Sequence, residues 1–260
     1  MKNIYFISDA HLGSRALQHR RQQERRLVRF LDQIKDRAEA VYMLGDMFDF
    51  WYEYRTVVPR GFTRFLGKVS ELTDSGVEVH FFTGNHDIWC YTYLQEECGV
   101  ILHRAPQTIE LADKTFFLAH GDGLGERNRM FLFLRGVFHN PLCQWLFSKV
   151  HPSWGLTLGL EWARRNRLRH ASAAADGQGG DPPYQGEDRE PLTLFARSYL
   201  REHPDVNYFI FGHRHIELDI PMGPTSRLYI LGDWITQCTY AVFDGERVYL
   251  ERYTEGDTQP

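Results

Sequence analysis

The sequence predicts a layered α/β fold with a mixed sheet and an inserted helical cap. Three observations carry this. Short apolar runs rich in β-branched and aromatic residues recur along the chain, segments of helical spacing separate the early ones, and one stretch in the second half abandons strand signals. At 260 residues, 43% hydrophobic and 25% charged, the chain suits one large domain and can bury a sizeable core.

The runs Ile4 to Ile7, Ala40 to Leu44, Val77 to Phe82, Thr115 to Ala119, Tyr208 to Phe211 and Leu228 to Leu231 read as core strands. Arg20 to Lys35 and Phe62 to Leu72 have helical spacing and sit between the first of them. Asp244-Gly245, between Ala241-Val242-Phe243 and Val248-Tyr249-Leu250, marks a hairpin, so antiparallel pairing joins the parallel kind. From Arg127 to about Arg169 the pattern turns to long helices, interrupted at Asn140-Pro141 and His151-Pro152 because proline ends a helix. Ala171 to Arg189, rich in Ala, Gly, Pro, Asp and Gln, reads as a mobile surface loop. Residues 126–190 are thus expected to form a cap and loop inserted within a single domain, 1–260. Pro191 to His203 reads as the helix that returns the chain to the strand at Tyr208.

Charge is unevenly spread. The formal net charge is -4, yet between Glu126 and His170 eight Lys/Arg face two Asp/Glu, leaving about -10 for the rest. An acidic body without an extended basic stripe argues against long nucleic acid as a partner. Cys90, Cys98, Cys143 and Cys238 are irregularly spaced and form no Cys-x-x-Cys pair, which suits a reducing cytoplasm. The chain opens on a buried strand rather than a charged leader, and no stretch of about 20 apolar residues could span a bilayer.

Five polar clusters sit just past predicted strands: Asp9-x-His11, Gly45-Asp46-x-x-Asp49, Gly84-Asn85-His86-Asp87, His120-Gly121-Asp122 and Gly212-His213-Arg214-His215. Strand ends are where loops of an α/β sheet converge, so the five can meet at one edge. An isolated Asp, Asn or His is most often a cap or a satisfied polar group, but seven in register are not. Imidazole nitrogens with carboxylate and amide oxygens suit Mn, Fe, Zn or Co, with manganese the first expectation. One ion can take Asp9, His11 and His215, a second Asn85, His120 and His213, and Asp46 can bridge them at a separation of about 3.5 to 4 Å. Such a pair suits hydrolysis of a phosphate ester or anhydride.

In this order the motifs resemble those of the calcineurin-like metallophosphoesterases, over nearly the whole chain. The resemblance implies a two-sheet sandwich flanked by helices, the ligand assignment just given, and His86, oriented by Asp87, contacting the substrate phosphate or protonating the leaving group. Phe6-Ile7-Ser8-Asp9-Ala10-His11-Leu12, Gly45-Asp46-Met47-Phe48-Asp49-Phe50-Trp51, His120-Gly121-Asp122-Gly123-Leu124 before a helix with Arg135, and Leu231-Gly232-Asp233-Trp234 are similar to the UDP-2,3-diacylglucosamine diphosphatase branch. That branch implies release of UMP and 2,3-diacylglucosamine 1-phosphate in lipid A synthesis, at the cytoplasmic face of the inner membrane as a peripheral protein. The branch commonly has Arg where this chain has His86, and Asp and Tyr where it has Asn128 and Phe131. Asn85, His86, Asn128, Phe131 and Arg135 are the implied substrate contacts, with Arg164, Arg165, Asn166 and Arg169 as candidates on the second cap helix.

The cap combines Phe131, Leu134, Phe138, Leu142, Trp145, Leu146, Phe147, Trp154, Leu158 and Trp162 with its excess of Arg. Aromatic anchors beside basic side chains suit an acyl-lined groove or a membrane interface, although packing of the cap onto the body accounts for many of them. Asp49 reads as a residue that orients a ligand or as a helix N-terminal acid, and Asp122 and Asp233 read as structural. Competing readings are a general metallophosphodiesterase acting on another nucleotide or phospholipid, and an inactive metal-binding scaffold.

Overall fold

The computed structural model describes residues 2–126, 128–175, 184 and 186–255, with the backbone alone at 169–175. In chain order its first half contains β1 (Asn3–Ile7), α1 (Arg20–Ile34), β2 (Ala38–Leu44), α2 (Thr63–Asp74), β3 (Glu78–Phe82), α3 (Tyr93–Cys98), β4 (Ile101–His103), β5 (Gln107–Leu111) and β6 (Lys114–Ala119). The cap follows as α4 (Arg129–His139), α5 (Pro141–Ser148) and α6 (Pro152–Ala175). Then come α7 (Pro191–Glu202), β7 (Val206–Phe211), β8 (Glu217–Pro221), β9 (Arg227–Leu231), β10 (Thr239–Phe243) and β11 (Val248–Arg252).

These strands make two sheets, ordered β11-β10-β1-β2-β3-β4 and β5-β6-β7-β9-β8. Both are mixed: β1, β2, β3 and β4 run parallel while β10 and β11 are antiparallel, and β6, β7 and β9 run parallel while β5 and β8 are antiparallel. Side chains alternate across a strand, so each strand feeds two layers. Ile4, Phe6, Tyr42, Leu44, Phe116, Leu118, Tyr208 and Ile210 fill the space between the sheets. Tyr5, Ile7, Val41 and Met43 turn the other way onto α1 and α2, and Phe117, Phe209 and Phe211 turn onto α7. Burial on both faces is why the central strands read as continuous apolar runs.

Four short elements escape that reading. β4, β5 and β8 lie at or beside sheet edges with half-exposed side chains, and α3 is six residues long, so none carries a clear apolar period. The expected hairpin is present as β10–β11, with Asp244 Oδ1 accepting from the amides of Glu246 and Arg247 at 2.8 and 2.9 Å and Gly245 in left-handed backbone.

The cap breaks where the prolines stand. Asn128 and Asn140 cap α4 and α5, each side chain accepting from two amides of the first turn. The expected loop from Ala171 begins later, because α6 runs on to Ala175; the alanines there are the best helix formers. Of the remainder of the expected loop to Arg189, residues 176–183 and 185 lie outside the described residues, and 187–189 form a turn.

Phe138, Phe147, Leu156 and Leu160 seat the cap on a patch of Phe50, Tyr52, Tyr54, Ile88 and Trp89. Tyr52 Oη donates to the Gln144 carbonyl at 2.8 Å and Trp89 Nε1 to the Phe138 carbonyl at 3.1 Å, so the seat is pinned as well as apolar. Many of the cap's other large apolar residues do not pack onto the body: Leu142, Trp145, Leu146, Trp154 and Leu158 are exposed. Close seating depends on Gly159, where a Cβ would lie 2.2 Å from Phe50 Cζ. Gly159→Val is therefore expected to lift α6, raising amide hydrogen exchange across α6 while β1, β2 and β7 keep their protection. Equal exchange in α6 of both proteins would contradict this seating.

Candidate metal centre

Loops leave the carboxyl ends of β1, β2, β3, β6 and β7 on one rim of the sandwich, and each carries a predicted ligand. They are laced together by hydrogen bonds. Asp9 N donates to Gly45 O at 3.1 Å, His11 N to Asp46 O at 2.9 Å, and Gly212 N to His120 O at 2.9 Å. Across the two sheets, His213 N donates to Asp9 Oδ2 at 2.8 Å, and within the first, His86 N donates to Asp46 Oδ1 at 2.8 Å. Position in one loop therefore fixes position in the next.

Backbone conformation marks the same residues. Asp9, His11, Asp46, His213 and His215 have φ of 54°, 44°, 54°, 70° and 50°, the left-handed region that side-chain-bearing residues rarely adopt. Such conformations cost of order 1–3 kcal/mol each and persist only where the surroundings enforce them. Gly84 permits the close approach: a Cβ there would lie 2.3 Å from Asp46 Oδ1.

The ring and carboxylate atoms converge. His11 Nε2 lies 3.0 Å from His215 Nε2 and 3.7 Å from both Asp9 Oδ1 and Asp46 Oδ2. His215 Nε2 is 3.2 Å from Asp9 Oδ1. On the other side, His120 Nε2 is 3.4 Å from Asp46 Oδ2 and 3.2 Å from Asn85 Oδ1, and the His213 ring is 5.1 Å from that of His120. Leu44 O accepts from His120 Nδ1 at 2.8 Å, which turns Nε2 toward the cluster. Three triads, Asp9–His11–His215, His11–Asp46–His86 and Asp9–Asp46–His120, offer atoms within 4.8 Å of one another. Asp9 Oδ1 is buried without a hydrogen-bond partner among the described residues. A buried, unpartnered carboxylate oxygen among converging imidazole nitrogens, with no thiolate in the set, fits divalent cations.

The electrostatics point the same way. Burial works against charge on Asp46, but the imidazoles of His120 and His86 hold its carboxyl far below the usual range. Burial likewise opposes charge on Asp9, and His215 and His11 outweigh it. His120 is pushed well above the usual histidine range by Asp46 and Asp9 in spite of burial, whereas burial and then the Arg167 charge push His11 well below it. These carboxylates demand positive charge.

Asp87 does not orient His86. It is fully buried and accepts from the amides of Gly84, Met47, Asp46 and Phe48 at 2.7, 2.9, 3.3 and 3.3 Å, tying the β2 and β3 loops. Burial and the neighbouring Asp46 charge push its carboxyl up to about 7, against the pull of the Gly84 and Phe48 amides. His86 is oriented instead by the Asp49 carbonyl, which accepts from Nδ1 at 2.7 Å, and its Nε2 stands 4.0 Å from Asp46 Oδ2.

A cleft of about 660 Å³ opens between this rim and the cap, within the range of small-molecule sites. Asn85, His86, Asn128, Phe131, Arg135 and Asn166 line it. Asn128 Oδ1 is occupied as the α4 cap, Phe131 sits over His213 with ring centroids 6.2 Å apart, and Arg135 Nε donates to Asp122 Oδ2 at 2.6 Å. Asp122, read as structural, is thus the anchor of α4 beside His120. Arg164 and Arg165 pair with Glu161 and do not line the cleft. The Arg169 side chain lies outside the described residues. Trp162, one of the expected cap aromatics, lines the cleft too, whereas sequence reasoning missed Arg167 and His139, which also line it. The available signal was the small-residue stripe Gly155, Gly159, Ala163 on α6, four residues apart and pressed to the body, on which Arg167 is next.

The sequence profile of the calcineurin-like phosphoesterases matches residues 2–217. The chain is 46% identical over 254 residues to a UDP-2,3-diacylglucosamine hydrolase of Porphyromonas gingivalis, covering 95% of this chain and 96% of that one. Proteins of the same name from Edwardsiella ictaluri and Pseudomonas paraeruginosa are 28% and 29% identical, over 94% and 90% of this chain and 90% and 92% of theirs. With the profile spanning most of the sandwich and the relatives aligning nearly end to end, the chain belongs to the calcineurin-like phosphoesterases and is a metal-dependent hydrolase.

Proposed function

We propose that this chain hydrolyses the diphosphate of UDP-2,3-diacylglucosamine to UMP and 2,3-diacylglucosamine 1-phosphate. The observation that carries the reading is the cleft itself: a cluster of metal-ligand groups forms one wall and an apolar cap the other, so a polar diphosphate and its acyl chains meet complementary surfaces. The names of the relatives, among them one 46% identical, support the same substrate.

In this reading Asp9, His11 and His215 would hold one divalent ion and Asn85, His120 and His213 another, with Asp46 available to both and manganese the metal proposed. Bound there, the ions supply charge to neutralise phosphoryl oxygens and to acidify water. The chain's own groups do the rest. His86, lining the cleft with Nδ1 fixed on the Asp49 carbonyl, presents Nε2 to the substrate and holds the proton for the departing phosphate oxygen. Water's oxygen joins one phosphorus as the bridging P–O bond breaks, and the bridging oxygen leaves with the other. Asp87 keeps the two loops that carry Asp46 and His86 at fixed separation. Phe131, Phe138, Leu134 and Trp162 line the apolar side of the cleft, where the acyl chains are proposed to lie.

The outer cap supports a peripheral place on the inner membrane's cytoplasmic surface. Among the described residues no helix is long and apolar enough to cross a membrane. Yet Trp154, Phe133 and Trp145 are 71, 65 and 56% exposed on a segment with excess Lys and Arg, a composition suited to an anionic lipid interface.

Mn-loaded protein is expected to release UMP from UDP-2,3-diacylglucosamine, with kcat/KM lower by at least about 100-fold on the UDP-sugar without acyl chains, since remote binding energy serves the reacting centre. Equal turnover of both, or rapid hydrolysis of aryl phosphodiesters without UMP release, would assign another substrate. His86→Ala should lower kcat by about 10²- to 10⁴-fold, the usual worth of a positioned acid, with metal content per chain unchanged. Full turnover in that variant removes His86 from the reaction.

A further inference from the structure

Arg167 joins the cap to a residue, Asp49, that faces both a proposed ligand and the proposed acid. Asp49 is fully buried three residues past Asp46, and its Oδ1 accepts from Arg167 Nη2 of α6 at 2.9 Å. The same Oδ1 is 3.7 Å from His11 Nδ1, which is buried without a hydrogen-bond partner among the described residues and has this carboxylate beside it, and the Asp49 carbonyl accepts from His86 Nδ1 at 2.7 Å. Asp49 therefore faces a proposed ligand with its side chain and the proposed acid with its backbone. Asp49 Oδ2 and Arg167 Nε are both buried without hydrogen-bond partners among the described residues, so the pair depends on one short bond. A buried carboxylate needs such a partner: taking away one member of a buried pair strands the other.

We infer that Arg167 is a positioning residue that, through Asp49, lets the docked cap set the placement of His11 and His86. The inference rests on the proposed role of His11 as a ligand. Its geometry follows from the sequence of α6, because Gly155, Gly159 and Ala163 bring one stripe of the helix against the body and Arg167 continues that stripe to the rim. Groups that orient a metal-bound imidazole through its second nitrogen are commonly worth ten- to a hundredfold in metal affinity. The cleft-lining Arg167 would otherwise act as a plain phosphate contact, and the two roles separate in experiment.

Mn²⁺ binding to the full chain without substrate, followed by titration calorimetry, is the first readout. Arg167→Leu and Asp49→Asn are each expected to weaken binding by about tenfold or more, and the double variant by no more than the stronger single one. In turnover, Arg167→Leu should lower kcat with KM within about twofold of the parent, and Arg167→Lys should restore part of kcat because a single donor serves the one short bond. Arg167→Lys also carries the test should Asp49→Asn not fold, a point settled by its unfolding transition. Unchanged Mn²⁺ affinity with raised KM in Arg167→Leu, or additive losses in the double variant, would overturn the inference and make Arg167 a substrate contact. Failure of the parent chain to bind Mn²⁺ would instead sink the metal reading on which it stands.

Discussion

The carboxylate of Asp46 is the point at which the architecture of this chain closes. Its Oδ1 accepts the His86 amide, its Oδ2 lies 3.4 Å from His120 and 3.7 Å from His11, its carbonyl accepts from His11, and its own amide donates to Asp87. Asp46 is almost wholly buried even where it lines the cleft, and an unpaired charge there is costly. The left-handed backbone at Asp46 and at four neighbouring ligand positions is strain that no isolated loop would hold. The sandwich is what enforces it, by bringing strand ends of both sheets to one rim.

A division of labour follows. The sheets and their flanking helices form a rigid, doubly buried body, whereas the cap is a set of helices seated on a small aromatic patch and tied at its ends by ion pairs. Arg135 reaches Asp122 beside His120, Arg167 reaches Asp49 beside His11, and Glu190, ahead of α7, holds Arg214 between His213 and His215 at 2.8 and 3.1 Å. Each tie meets a residue next to a proposed ligand. Of the three, the Glu190–Arg214 pair is buried on both sides, while Arg167 is partly exposed and Arg135 exposed, so the ties contribute little net stability.

Much of this was legible in the sequence for a physical reason. Strands buried on both faces leave dense apolar runs, and the polar clusters after Ile7, Leu44, Phe82, Ala119 and Phe211 stand out against them. Proline at positions 141 and 152 marked the cap's breaks. Edge strands β4, β5 and β8 were not legible, because half-exposed residues blur a period of two. Long-range pairing was illegible in a different way: Arg167 meets Asp49 across 118 residues, and only the packing of α6 decides that Arg167, rather than Arg164 or Arg165, turns inward. Asp87 was misread for the same cause, since its carboxylate makes no hydrogen bond to His86, its neighbour in sequence. Its partners are amides of two crossing loops.

The arrangement turns on one carboxylate shared by two cations, and anomalous diffraction at the manganese edge from Mn-loaded crystals would locate them. Two peaks about 3.5 to 4 Å apart are expected, one among Asp9, His11 and His215 and one among Asn85, His120 and His213, with Asp46 touching both. A single peak, or two that leave Asp46 outside either coordination sphere, would contradict it.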